Sequence, residues 1–108
     1  MRGREHEMQE IDRLVHEPAR LRVLTLLSGV KEADFSFILG ALRLTNGNLS
    51  VHMRKLEDAG YVLMAKTFAG RVPKTMFSIT PRGKRALKKY WRTLDELRAD
   101  GGGSPRPQ

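Results

Sequence analysis

The chain has 108 residues, of which 40% are hydrophobic, and it carries a formal net charge of +8. A chain of this length supports one domain with one modest core. The absence of cysteine excludes disulfides, thiolate metal sites and thiol redox sensors. No apolar run approaches the roughly 18 residues that span a bilayer, and residues 1–10 lack the apolar segment of a secretory signal, so we expect a cytoplasmic protein with no membrane contact.

The positive charge builds along the chain. The net charge is −1 over residues 1–42, +4 over residues 43–75 and +5 over residues 76–99. Such a distribution predicts a polyanionic partner, in particular a nucleic acid. Solubility alone is the alternative explanation.

The first half of the chain predicts four helices. After a flexible segment at residues 1–7, the first helix is predicted from apolar residues at helical spacing: Met8, Ile11, Leu14 and Val15. Pro18 fits the first turn of a second helix, which Gly29 ends. Asp34 and Thr45 are the predicted N-caps of a third and a fourth helix, and the fourth ends at Gly60.

The second half predicts a hairpin followed by a helix. Strands are predicted at 61–68 and 75–80, with a turn at 69–74 that contains glycine and proline. Thr80 and Pro81 are typical of a helix start. The last helix has a broad apolar stripe: Leu87, Tyr90, Trp91, Leu94 and Leu97. Residues 100–108 are predicted to be a disordered tail.

This order of elements predicts a mainly α fold with a small β-hairpin, which is an α+β winged helix-turn-helix. We expect five helices and a wing sheet of two or three strands. The DNA-binding domain then covers residues 8–99, with dimerisation helices at its two ends.

The fourth helix has two different faces. Leu49, Met53 and Leu56 share the side that packs on a core. The other side lacks bulky apolar cover, and the predicted DNA-binding residues lie there and at the preceding cap: Thr45, Asn46, Gly47, Asn48, Ser50, Val51, Arg54 and Lys55. Asn pairs with adenine edges and Arg with guanine, while valine contacts the thymine methyl group. An ordinary solvated helix face is the alternative.

The predicted turn between the strands adds glycine and basic residues. Gly70 and Arg71, with Lys66 and Lys74 beside them, suit the minor groove or the phosphates. The alternative is a charged strand edge that resists pairing with other chains.

Catalytic and metal-binding constellations are lacking in the sequence. We find no glycine-rich phosphate loop, nucleophile elbow or paired carboxylates. Three scattered histidines without cysteine do not form a metal site, and His52 is predicted at the border of the buried face. We therefore expect a protein that is not an enzyme and needs no cofactor.

Three blocks of sequence resemble MarR/ArsR-like winged-helix regulators, in particular the compact, single-domain MarR-like group. One block runs from residue 34 to 62 and includes Gly47-Asn48-Leu49-Ser50, His52, Leu56-Glu57 and Ala59-Gly60-Tyr61-Val62. The others are 66–83, with Gly70-Arg71, Pro73 and Thr80-Pro81, and 11–24, with His16-Glu17-Pro18-Ala19-Arg20. The resemblance covers residues 11–97 and implies a homodimeric, sequence-specific regulator of transcription that binds double-stranded DNA.

Carried over by position, the base-reading helix of that group maps to residues 46–55 and its wing to residues 69–74. A basic residue is frequent in the group where this chain has Asn46. Members often respond to small ligands, so the resemblance allows an effector that no residue here identifies.

The terminal helices are the predicted dimer interface, since neither apolar stripe is obviously used by the core. The predicted interface residues are Met8, Ile11, Leu14, Val15, Leu87, Tyr90, Trp91, Leu94 and Leu97. A two-fold dimer would place two recognition helices in successive major grooves on a pseudo-palindromic operator. Two other interpretations stay open: a winged helix that binds a protein partner, and an architectural protein that binds DNA without sequence preference.

Overall fold

Four helices and three strands follow one another along residues 11–100, the part of the chain that the computed structural model describes. The helices are α1 (Pro18–Ser28), α2 (Phe35–Leu42), α3 (Asn46–Asp58) and α4 (Pro81–Asp100). The strands are β1 (Ala33–Asp34), β2 (Val62–Ala69) and β3 (Val72–Ile79), which form one antiparallel sheet in the order β1-β3-β2. The predicted winged helix with a small sheet is confirmed.

The predicted helix starts are confirmed by their capping hydrogen bonds. Asp34 Oδ1 accepts from the amide of Phe37 at 2.7 Å, and Thr45 Oγ1 accepts from the amide of Asn48 at 3.1 Å. Pro18 lies in the first turn of α1, as expected, and Glu17 caps that helix. Short side-chain acceptors satisfy amides that have no partner inside the helix, which is why these residues set the boundaries.

The prediction of five helices is wrong over the described residues, because only one turn forms at residues 12–16. The His16 amide donates to the Asp12 carbonyl at 2.8 Å, and Asp12 Oδ1 accepts from the amides of Leu14 and Val15. Glu17 then adopts an extended conformation, since a residue before proline disfavours the helical region. Met8, the segment 1–7 and residues 101–108 of the predicted tail lie outside the described residues.

The hairpin is longer than predicted. Its register runs from Val62–Ile79 to Ala69–Val72, so the turn is reduced to Gly70 and Arg71. Gly70 has a φ of +68°, which suits a tight two-residue turn. Pro73 is tolerated within β3 because β1 pairs only with residues 76 and 77, which leaves the proline beyond the three-stranded part.

The core lies between the helices and the base of the hairpin. It is built from apolar side chains of the N-terminal turn, all four helices and the sheet: Val15, Val23, Leu24, Leu27, Ile38, Leu49, Leu56, Val62, Phe77, Leu87 and Tyr90. Because α3 contributes its whole apolar face, its opposite face is directed away from the core.

A glycine ends α3 and turns the chain into the wing. The Gly60 amide donates to the Glu57 carbonyl at 2.9 Å, and the Tyr61 amide donates to the Leu56 carbonyl at 2.9 Å. Gly60 has a φ of +80°. This pair of bonds with a left-handed glycine is a Schellman motif, and it fixes the angle between α3 and β2.

Thr80 joins the start of α4 to the same turn. Its hydroxyl donates to the Gly60 carbonyl at 2.6 Å and accepts from the Gly83 amide at 2.9 Å. Its amide donates to the Tyr61 carbonyl at 3.0 Å. One residue therefore caps α4 and connects α4 to the end of α3.

Candidate nucleic-acid interface

The outward face of α3 is polar, small and basic. Leu49, Met53 and Leu56 are buried, as predicted. All the predicted DNA-binding residues of the helix and its cap are exposed: Thr45, Asn46, Gly47, Asn48, Ser50, Val51, Arg54 and Lys55. Val51 is an apolar residue that remains 53% exposed on this face. The arrangement offers amide, hydroxyl, guanidinium and methyl groups on one accessible helix face.

His52 anchors the middle of α3 to the start of α1. Arg20 Nη1 donates to His52 Nδ1 at 3.2 Å, and Arg20 Nε donates to the Leu14 carbonyl at 2.7 Å. A guanidinium only donates, so Nδ1 of the histidine is the acceptor in this contact. Glu17 Oε1 lies 3.8 Å from the same nitrogen. The roles of Arg20 and Glu17 could not be predicted from the sequence, because nothing in their local pattern indicates a contact with a residue on α3.

Tyr61 follows the C-terminal end of α3 and connects it to the N-terminal turn. Its hydroxyl donates to Asp12 Oδ2 at 2.8 Å, while Asp12 Oδ1 holds the N-terminal turn. Burial, followed by the hydrogen bond to Asp12, raises the pKa of Tyr61 to about 12. The phenol therefore remains protonated at neutral pH and holds the segment before α1 against the base of the wing.

The predicted wing residues do not all have the same surroundings. Lys66, Gly70 and Arg71 are exposed on the hairpin. Lys74 Nζ instead forms an ion pair with Asp34 Oδ2 at 2.9 Å. The hydrogen bond from Lys74, followed by that from the Phe37 amide, lowers the pKa of the Asp34 carboxyl. Lys74 thus connects the wing to the N-terminus of α2, while the other three are free of that contact.

A groove of about 410 Å³ separates α3 from the wing. Ser50 and Arg54 line it from α3, and Lys66 and Thr75 line it from the strands. Four apolar side chains, together with Glu57, complete the lining: Phe35, Met53, Met64 and Phe77. The structure therefore brings Ser50, Arg54 and Lys66 together on one continuous surface.

The residues predicted at the dimer interface divide into two groups. Val15, Leu87 and Tyr90 are buried in the core of the subunit itself. Ile11, Leu14, Leu94 and Leu97 are partly buried, and Trp91 is 46% exposed. The His16 ring lies against Tyr90 and bonds to its hydroxyl at 2.8 Å.

Within residues 11–100, no three His, Cys, Asp or Glu side chains cluster as metal ligands would. No helix of that region is long and apolar enough to cross a membrane.

Comparisons with known proteins assign the family. A family model described as a winged helix DNA-binding domain matches residues 19–97. An uncharacterized protein of Methanocaldococcus jannaschii is 38% identical over 79 residues, which cover 72% of this chain and 85% of that protein.

Solved structures agree with this assignment. The structure of a transcriptional regulator homologue from Pyrococcus horikoshii matches with a TM-score of 0.77 and 35% identity, over 88% of this chain and 92% of that one. A MarR-family regulator from Silicibacter pomeroyi shares the fold, with a TM-score of 0.61 and 20% identity over 86% of this chain and 63% of that one. No enzyme family is indicated, and the predicted resemblance to winged-helix transcriptional regulators is confirmed. The MarR-family structure shows that the fold is shared. The chain belongs to the winged helix DNA-binding domain family and is a homologue of transcriptional regulators.

Proposed function

We propose that the protein regulates transcription as a homodimer that recognises a specific sequence in double-stranded DNA. The observation that carries the proposal is the exposed face of α3, with Arg54 beside the basic wing. In this mode the N-terminal half of α3 lies in the major groove, and Arg71 with Lys66 contacts the minor groove or the phosphates.

The charge distribution supports this orientation. No acidic residue occurs between residues 59 and 94, a stretch that contains the whole wing. The acidic pair Glu57 and Asp58 lies at the C-terminal end of α3, away from the end expected to enter the groove. The positive end of the helix dipole favours phosphate at the N-terminus of α3.

We expect a second copy of the chain to pack against the apolar side of α4. Trp91 is half exposed, and Leu94 and Leu97 are partly buried on the same helix. Ile11 lines a pocket with Tyr90 and Thr93 of α4. We propose that a two-fold axis buries it together with Leu14, Trp91, Leu94 and Leu97. The two α3 helices would then enter grooves about 34–36 Å apart. A cytoplasmic location and a small-molecule effector belong to the same proposal.

Replacing Arg54 by alanine tests the groove assignment. Arg54 is exposed on α3 and belongs to no ion pair among the described residues, so its removal should not disturb the fold. Loss of a bidentate contact to guanine costs roughly 1–3 kcal/mol, or about 5- to 150-fold in affinity. We expect this loss in anisotropy titrations with the best duplex retained from a random pool.

Arg98→Ala is the matched control. Arg98 lies near the end of α4, where it pairs with Asp95, and it should leave the affinity almost unchanged. Equal affinity of Arg54→Ala and the unmodified protein, with the melting temperature preserved, would show that α3 does not read bases. Equal weakening on operator and scrambled duplexes would favour an architectural role.

A further inference from the structure

Phe68 is a large aromatic residue that is exposed to solvent in the subunit. It is 69% exposed on β2, next to Ala69 and close to the two-residue turn at Gly70 and Arg71. Its cross-strand partner is Pro73. A single exposed apolar side chain needs no explanation by itself. The direction in which Phe68 faces and the charge around it therefore decide whether it has a binding role.

The alternation along β2 shows which way Phe68 faces. Val62, Met64, Lys66 and Phe68 share one face of the strand. Val62 of that set is buried in the core, and Met64 and Lys66 line the groove beside Arg54. Phe68 therefore continues the groove surface toward the tip, about 7 Å beyond Lys66 at two residues of strand.

The surroundings of Phe68 are cationic. Lys66 and Arg71 lie on either side of it along the chain, and the wing contains no acidic residue. An aromatic ring between two cations complements a surface that is apolar at its centre and anionic at its edges. Stacked base pairs bordered by phosphates have that character.

We propose that Phe68 inserts as a wedge at a base-pair step in the minor groove where the wing contacts the operator. This inference rests on the proposed DNA-binding function and adds a residue that reads DNA deformability. Apolar wedges of this kind partly unstack a step and kink the duplex. Pyrimidine–purine steps unstack most easily, so the operator should favour TA or CA/TG at the wing position.

Three variants separate the wedge from a general effect of the wing: Phe68→Ala, Phe68→Leu and Leu63→Ala. Leu63 is a matched control, because it is 62% exposed on the opposite face of the same strand. Each variant is titrated against an operator duplex that carries 2-aminopurine at the base-pair step contacted by the wing. The fluorescence of 2-aminopurine rises when this base unstacks. Melting temperatures check the fold.

The unmodified protein should raise the fluorescence on binding. Phe68→Ala should abolish the rise and weaken binding roughly 5- to 50-fold, within the range measured for loss of an aromatic–base contact. Phe68→Leu should keep most of both signals, and Leu63→Ala should keep all of both.

Two results would overturn the wedge. If Phe68→Ala keeps the affinity and the fluorescence rise while the unmodified protein binds its operator, the wedge is wrong and the proposed function stands. If the unmodified protein binds no duplex but binds phosphatidylserine vesicles through Phe68, both proposals fail and the wing contacts a membrane surface instead.

Discussion

Raising the monovalent salt concentration from 50 to 200 mM should weaken binding of the duplex by about 10³- to 10⁵-fold. Five basic residues on α3, in the turn before it and in the wing are exposed: Arg43, Arg54, Lys55, Lys66 and Arg71. Each of these cations displaces counterions when it lies against the DNA, whether it contacts a phosphate or, like Arg54, a base edge. Three to five such cations in each subunit give roughly six to ten in the dimer, which corresponds to the loss stated. The measurement is a series of titrations at different salt concentrations, with an expected log–log slope of about −5 to −9.

Single substitutions refine the same measurement. Lys66→Ala should reduce the magnitude of the slope by roughly two in a dimer, because each subunit loses one phosphate contact. Arg98→Ala should leave the slope unchanged, since Arg98 is paired with Asp95 away from the wing. An affinity that hardly changes with salt would contradict a phosphate-contacting interface.

Replacing Gly83 by alanine should lower the free energy of unfolding by about 3 kcal/mol, toward the upper end of overpacking effects. A Cβ at this position would overlap the carbonyl oxygen of Tyr61 and lie 2.9 Å from Cγ1 of Ile79. The carbonyl belongs to the backbone and also accepts from the Thr80 amide, so it cannot move without breaking the α3–α4 junction. The expected fall in melting temperature is roughly 12–24 °C, measured by thermal unfolding.

Gly40→Ala is the control within the same protein. Gly40 is an exposed residue inside α2, and nothing lies within 4 Å of a Cβ placed there. Alanine at such a position should stabilise the protein by roughly 0.5–1 kcal/mol. If Gly83→Ala proved as harmless as Gly40→Ala, the close approach of α4 to Tyr61 would be wrong.

The elements of this fold that could be predicted are those with local causes. Asp34, Thr45 and Gly60 set helix ends through bonds to residues within a few positions, so the sequence alone indicates them. The buried face of α3 follows from helical periodicity in the same way.

The errors arose where tertiary context outweighs a local signal. Pro73 indicated a long turn, yet it lies within β3 because the sheet has only two strands at that point. Apolar spacing indicated a first helix, but the described part of it is one turn that stops before Pro18.

The exposed face of α3 could be predicted from the sequence, whereas the contacts that hold α3 and the wing in place could not. The contacts Arg20–His52, Asp12–Tyr61 and Asp34–Lys74 join residues 32 to 49 positions apart. No short motif indicates such pairs, so only the folded structure shows that Lys74 forms an ion pair with Asp34.

Selection of bound duplexes from a random pool tests the central claim most directly. A dimer that reads bases with two copies of α3 should retain one pseudo-palindromic sequence, with half-site centres about 34–36 Å apart. Retention of all duplexes without preference, or of none at low salt, would contradict sequence-specific recognition by this face.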